Sequence, residues 1–144
     1  MTETFYSDSE EKTEEIAFFL AAQNRIRFGD VVALSGDLGA GKTAFTRGLV
    51  RFFSPVPRVT SPTYALVNEY RTDKGKIWHF DMYRIDTEED LLSVGFYDYL
   101  GGGDLIIVEW FDKIAAFFDE STVSVDIVKS GGDNREIVFE RALG

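Results

Sequence analysis

The chain has 144 residues with 15 basic and 25 acidic side chains, a formal net charge of −10, which is length for one compact domain over residues 1–144 and not two. Hydrophobic residues make up 44% and aromatics 15%, enough to build a core unaided, which excludes intrinsic disorder. With no cysteine, a disulfide scaffold, a thiolate metal site and a cysteine nucleophile are excluded together.

The excess of carboxylates repels a phosphate backbone, so strong direct nucleic-acid binding is not expected. Apolar stretches such as Ile16–Ala22 and Leu105–Val108 fall far short of the ~20 residues a membrane span requires. The opening MTETFYSDSEEK is acidic where a signal peptide is basic. The expectation is a soluble cytoplasmic protein with no membrane partner.

In chain order, Ser7 and Glu10 have the spacing of a capping box, and Ile16, Phe19 and Leu20 follow at helical intervals, predicting a helix from about Glu10 to Gln23. Val31 to Ser35 reads as a short buried strand running into a glycine-rich turn, Gly36 to Gly41. A second helix starts at about Lys42, with Phe45, Leu49, Val50, Phe52 and Phe53 on its buried side. Pro55 and Pro57 end it, and Ser61-Pro62-Thr63 is an extended break before a strand at Tyr64 to Val67. Thr72 to Gly75 reads as a hairpin turn into a strand from Lys76 to Tyr83. Thr87 and Asp90 can cap a short helix that ends before Gly101-Gly102-Gly103. Leu105 to Val108 has the unbroken apolar character of a strand covered on both faces. Val123, Val125 and Ile127 alternate with polar residues, and Gly131 to Asn134 turn the chain back into Ile137-Val138-Phe139, a half-exposed hairpin.

The segment GDLGAGKT satisfies G-x-x-x-x-G-K-[ST] through Gly36, Gly41, Lys42 and Thr43. An apolar strand leads in and an amphipathic helix leads out, the arrangement that phosphate binding requires. Glycines let successive backbone N–H groups converge on phosphate oxygens, and the helix N-terminus adds its positive end. In that chemistry Asp37, Leu38, Gly39, Ala40, Gly41, Lys42, Thr43 and Ala44 cradle the phosphates, Lys42 bridges the β- and γ-phosphates, and the Thr43 hydroxyl ligates Mg²⁺.

Such a loop needs an acidic partner, and Glu109 stands at the carboxyl end of the apolar run, where ligands bind in open α/β sheets. It can hold Mg²⁺ directly, act through a water or orient the attacking water. His79, Asp81 and Tyr83 alternate with Phe80 and Met82, so the three polar residues share a face that forms either the second half of an active site or a solvated strand face. No N-K-x-D base-reading segment occurs, which favours adenine over guanine. Arg47, Arg51, Arg58 and Arg84 are available, but none lies in a motif that reads as a built-in arginine finger.

GDLGAGKT, SPTY at Ser61 to Tyr64, HFDMYR at His79 to Arg84 and VEW at Val108 to Trp110, in that order and spacing, resemble the TsaE (YjeE) family. That family is the bacterial ATPase required for threonylcarbamoyladenosine modification of tRNA. The resemblance covers Phe5 through about Trp110. It implies a small P-loop NTPase-like α/β sandwich, with a mixed, mostly parallel central sheet and a C-terminal antiparallel hairpin. It also implies an ATP/ADP and Mg²⁺ site in which Lys42 and Thr43 contact phosphate and metal. Asp81 and Glu109 would handle metal or water, Thr63 would belong to a switch-like segment near the γ-phosphate, and Trp110 would pack near the site. The implied partners are TsaB and TsaD, the latter carrying the threonylcarbamoyl group to adenosine 37, with ATP hydrolysis resetting that transferase. Many members have proline after the tryptophan, where this chain has Phe111. The rival reading is a stand-alone small-molecule kinase using the same loop, and a third is a nucleotide-binding module without hydrolysis.

Overall fold

The computed structural model describes residues 2–37, 39–54, 67–81, 99, 102–110 and 122–141. Their elements are β1 (Thr2–Ser7), α1 (Glu10–Ala22), β2 (Val31–Gly36), α2 (Lys42–Phe53), β3 (Val67–Thr72), β4 (Gly75–Asp81), β5 (Leu105–Trp110), β6 (Val123–Gly131) and β7 (Asn134–Glu140). The strands form one sheet in the order β1-β7-β6-β2-β5-β4-β3. Its centre is parallel, β2 pairing with both β5 and β6 and β5 with β4, and its edges are antiparallel.

This is the expected mixed α/β architecture. The unbroken apolar runs of β2 and β5 sit where both sheet faces are covered, which is why they show no alternation. Val32 and Leu34 of β2 join Ile107 of β5 and Val125 of β6 in a core with Leu20 of α1 and Phe45 and Leu49 of α2. On the other face Ala33, Phe80, Ile106 and Val108 are also buried, and Tyr99 sets its ring against Trp78 and Phe80 at centroid distances of 4.7 and 5.1 Å. Full burial of a side chain such as Phe45 stabilises by about 1.5–3 kcal/mol.

The two helices cross closely because α2 carries Gly48 at the contact. A Cβ there would stand 2.2 Å from the Glu14 carbonyl oxygen and 2.9 Å from the Ala17 Cβ. Glycine in a helix interior costs about 1 kcal/mol of propensity, which the close approach offsets with packing. Arg47 lies 3.6 Å from Glu10 and 3.7 Å from Glu14, and Arg51 lies 3.7 Å from Glu14, so both arginines tie α2 to α1.

One local expectation is corrected. The N-cap of α1 is Ser9, whose hydroxyl accepts the Lys12 N–H at 3.0 Å, and not Ser7. Ser7 ends β1, and its hydroxyl is engaged with the Ser9 carbonyl and the Thr13 hydroxyl, both at 2.8 Å. The N-terminal segment adds a strand: β1 runs antiparallel to β7 at the sheet's edge, with Thr2 opposite Glu140 and Ser7 opposite Arg135. The opposite edge, β3, is charged; Lys76 hydrogen-bonds Glu69 at 3.0 Å and holds its carboxyl below the ordinary range. Charges of that kind discourage edge-to-edge pairing. Tyr64 to Leu66, Met82, Tyr83 and the segment around Thr87 lie outside the described residues. Among the described residues no helix is long and apolar enough to cross a membrane.

Candidate functional site

β2, β5 and β4 are neighbours and run parallel, so their carboxyl ends meet along one stretch of the sheet edge. β2 ends in the glycine-rich loop, β5 in Glu109-Trp110 and β4 in Asp81. The register places Glu109 opposite Leu34 on one side and opposite Asp81 on the other. Three segments far apart in sequence are thereby brought to the crevice where ligands bind in such sheets.

Gly36, Gly39 and Gly41 all have positive φ, of 151°, 78° and 118°. At Gly36 a Cβ would meet the Ile127 carbonyl oxygen of β6 at 2.6 Å, so glycine is enforced there by backbone packing. Gly41 is the N-cap of α2; it has no side chain to cap that helix end, and the first turn carries no acid. The end therefore keeps its positive character, which suits an anion. Lys42 is largely buried, and its ammonium arches back over the loop to donate to the Gly36 carbonyl at 2.7 Å.

Thr43 points its hydroxyl to Glu109, donating to Oε1 at 3.4 Å. The other carboxylate oxygen, Oε2, is hydrogen-bonded to His79 Nε2. His79 is wholly buried, so the solvated-face reading of its strand is set aside for that residue. Among the described residues no cluster of three or more histidine, cysteine, aspartate or glutamate side chains forms a metal cage. A threonine hydroxyl beside a carboxylate is nonetheless a hard-oxygen donor set of the kind that fits Mg²⁺, which keeps several waters and takes few protein ligands.

Asp81 is the register partner of Glu109, and its side chain lies outside the described part of the structure, as does that of Trp110. Leu38 and Thr63 lie outside the described residues altogether.

One residue that the loop motif does not announce reaches it. Arg135 of β7 donates from Nε to the Ala40 carbonyl at 3.0 Å and from Nη2 to the Gly39 carbonyl at 3.4 Å. Its Nη1 donates to the carbonyls of Gly132 and Asn134, each at 2.9 Å. The only signal for it in the sequence is its place just after the Gly131–Asn134 turn. Beside the loop opens a cleft of about 370 Å³ whose lining includes Ser9, Thr13, Gly39, Gly41, Asp133 and Arg135.

A parallel strand, a loop of positive-φ glycines leading into a helix and a carboxylate on the adjacent strand define a single-domain α/β protein with a glycine-rich loop at its sheet edge. The chain belongs to the TsaE family: the model for threonylcarbamoyl adenosine biosynthesis protein TsaE matches residues 7–137. That family serves tRNA threonylcarbamoyladenosine biosynthesis. The chain is 36% identical over 129 residues to the TsaE protein of Bacillus subtilis, covering 90% of this chain and 79% of the relative. It is 37% identical over 115 residues to that of Haemophilus influenzae, covering 79% and 73%. The crystal structure of Bacillus subtilis YdiB superimposes with a TM-score of 0.76 at 30% identity, covering 96% of this chain and 84% of that one.

Proposed function

We propose that this chain is a Mg²⁺-dependent ATPase that acts as a switch on the TsaB–TsaD threonylcarbamoyl transferase and does not itself transfer the group to tRNA. The observation that carries the reading is the meeting of Thr43, at the start of α2 and next to Lys42, with Glu109 at the end of β5. The loop's backbone N–H groups and the Lys42 ammonium would hold the phosphates, and the cleft beside Gly39 and Arg135 has room for a nucleoside. Thr43 and Glu109 would hold Mg²⁺, which when bound neutralises charge on the phosphate oxygens. Glu109, with Asp81 beside it in the register, would also orient a water. Family membership supports the biological setting, a protein required for threonylcarbamoyladenosine biosynthesis.

The test is Lys42→Ala, with ATP hydrolysis and thermal unfolding measured on the same preparation. Hydrolysis is expected to vanish while the fold persists, since a loop lysine chiefly offsets phosphate charge. Retained hydrolysis refutes the phosphate-loop reading. Calorimetry should show ADP bound in preference to GDP, and equal affinities would remove the adenine assignment. A small metabolite that accelerates ADP formation and appears phosphorylated would support the kinase reading instead.

A further inference from the structure

We infer that His79 is the positioning residue for Glu109, an imidazole that donates its Nε2–H to one carboxylate oxygen and so turns the other toward Thr43. The inference deepens the reading of Glu109 as the metal-facing acid and rests on it.

Both partners are withdrawn from solvent: His79 is 0% exposed and the Glu109 side chain 7%. A carboxylate buried to that degree needs hydrogen-bond donors, because leaving its oxygens bare costs more than the bonds themselves return. Glu109 receives two donors from opposite sides. The imidazole takes Oε2, and the Thr43 hydroxyl approaches Oε1. The two contacts together fix the rotation of the carboxylate plane, which a single hydrogen bond would leave free.

The tautomer follows from the other ring nitrogen. Nδ1 is buried, and among the described residues it has no hydrogen-bond partner. Placing a proton there would strand a donor in the core and leave Nε2 as a lone pair facing a carboxylate, two unfavourable changes at once. A proton on Nε2 instead makes a charge-assisted bond to Glu109. The ring is held in place independently of Glu109. Its strand is the middle of the β3–β4–β5 run, and Tyr70 of β3 stacks on it with centroids 6.3 Å apart and planes inclined by 30°. The imidazole is therefore a fixed donor, and the flexible glutamate is the part that it orients. Ligating carboxylates elsewhere depend on such outer hydrogen bonds, whose loss costs about 10–100-fold in metal affinity or activity.

His79 is the chain's only histidine, so the experiment has a readout free of nucleotide and of turnover. A ¹⁵N–¹H imidazole spectrum of the full chain is expected to show one ring, protonated at Nε2 and bare at Nδ1, whose proton resonance moves upfield in Glu109→Gln. A proton on Nδ1, or a resonance indifferent to Glu109→Gln, overturns the proposal whether or not the chain binds ATP.

The second readout is the Mg²⁺ concentration that half-saturates the metal-dependent part of ADP binding. It should rise about tenfold or more in His79→Leu. His79→Gln, whose amide nitrogen replaces Nε2, should restore most of the loss. Equal Mg²⁺ dependence in wild type and His79→Leu, or no rescue by glutamine, overturns the positioning role. If His79→Leu does not fold, the glutamine variant and the spectrum still decide. A wild-type chain whose ADP binding ignores Mg²⁺ would instead refute the metal reading of Glu109, leaving the spectrum to decide the hydrogen bond.

Discussion

Arg135 and Ala40 join the end of the chain to its glycine-rich loop: the guanidinium Nε on β7 donates to the Ala40 carbonyl at 3.0 Å. The loop's N–H groups can face an anion only if its carbonyls face elsewhere, and Arg135 takes two of those carbonyls, Ala40 and Gly39.

Arg135→Ala should therefore weaken ADP binding by tenfold or more, about 1.4 kcal/mol, with the fold retained. Arg135→Lys should recover little, because an ammonium cannot span two carbonyls as a planar guanidinium does. Calorimetry on the three proteins checks this. Wild-type affinity in the lysine variant would show that charge alone matters, and wild-type affinity in the alanine variant would remove Arg135 from the site.

Gly48 supplies a prediction about the scaffold. In most helices Gly→Ala stabilises, yet here the added methyl would stand 2.2 Å from the Glu14 carbonyl oxygen, a backbone atom that cannot swing aside. Gly48→Ala should push α1 off α2 and destabilise the chain by about 1–3 kcal/mol, the usual cost of overpacking. Denaturant unfolding measures it, and an unchanged or raised midpoint would show that the helices slide apart freely.

The parts of this architecture legible in the sequence are those written locally. Val31 to Ser35 and Leu105 to Val108 announce buried strands because every residue in them is apolar or small, and GDLGAGKT carries its loop geometry in its own glycines. What long-range pairing decides is not written that way. The polar stretch Thr2–Ser7 becomes a strand only because β7, from the far end of the chain, supplies its partner. Ser7 has capping-box spacing with Glu10, but its membership of that strand turns its hydroxyl to Thr13 and passes the cap to Ser9. The row of His79, Asp81 and Tyr83 is visible by alternation, whereas the meeting of His79 with Glu109 requires knowing that β4 lies beside β5. Arg135 likewise has no local motif, and its role exists only once the β6–β7 hairpin lies against the loop.

The two acids are expected to matter to hydrolysis more than to binding. Glu109→Gln and Asp81→Asn should each lower ATP hydrolysis tenfold or more, at least about 1.4 kcal/mol on the barrier, while ADP affinity in the absence of Mg²⁺ changes little. Glutamine at 109 can still accept the Thr43 hydroxyl bond, so thermal stability should fall less than activity. Single-turnover hydrolysis beside calorimetry tests this, and wild-type rates in both variants would remove the carboxylates from the chemistry.

The last prediction concerns the charge that phosphoryl transfer develops; of the four arginines weighed in the sequence, Arg58 and Arg84 lie outside the described residues. Charge builds on the transferring phosphoryl group, and a positioned arginine commonly accelerates that step by ~10³-fold or more. Among the described residues Arg47 and Arg51 are turned to the glutamates of α1. Arg135 faces the carbonyl side of the loop, where Nε, Nη1 and Nη2 all donate to backbone oxygens. None of the three is free to follow the phosphoryl group without releasing a structural contact. The isolated chain should therefore hydrolyse ATP slowly, and TsaB with TsaD should raise the rate well above the sum of the separate proteins. Steady-state ADP release at saturating Mg-ATP, with and without the purified pair, measures the difference. Because the phosphate contacts proposed for Lys42 and the loop need no partner, stimulation should appear in kcat far more than in KM. A rate that ignores TsaB and TsaD across a wide concentration range, with transferase activity confirmed in the same tube, would discard the switch reading in favour of a self-sufficient kinase.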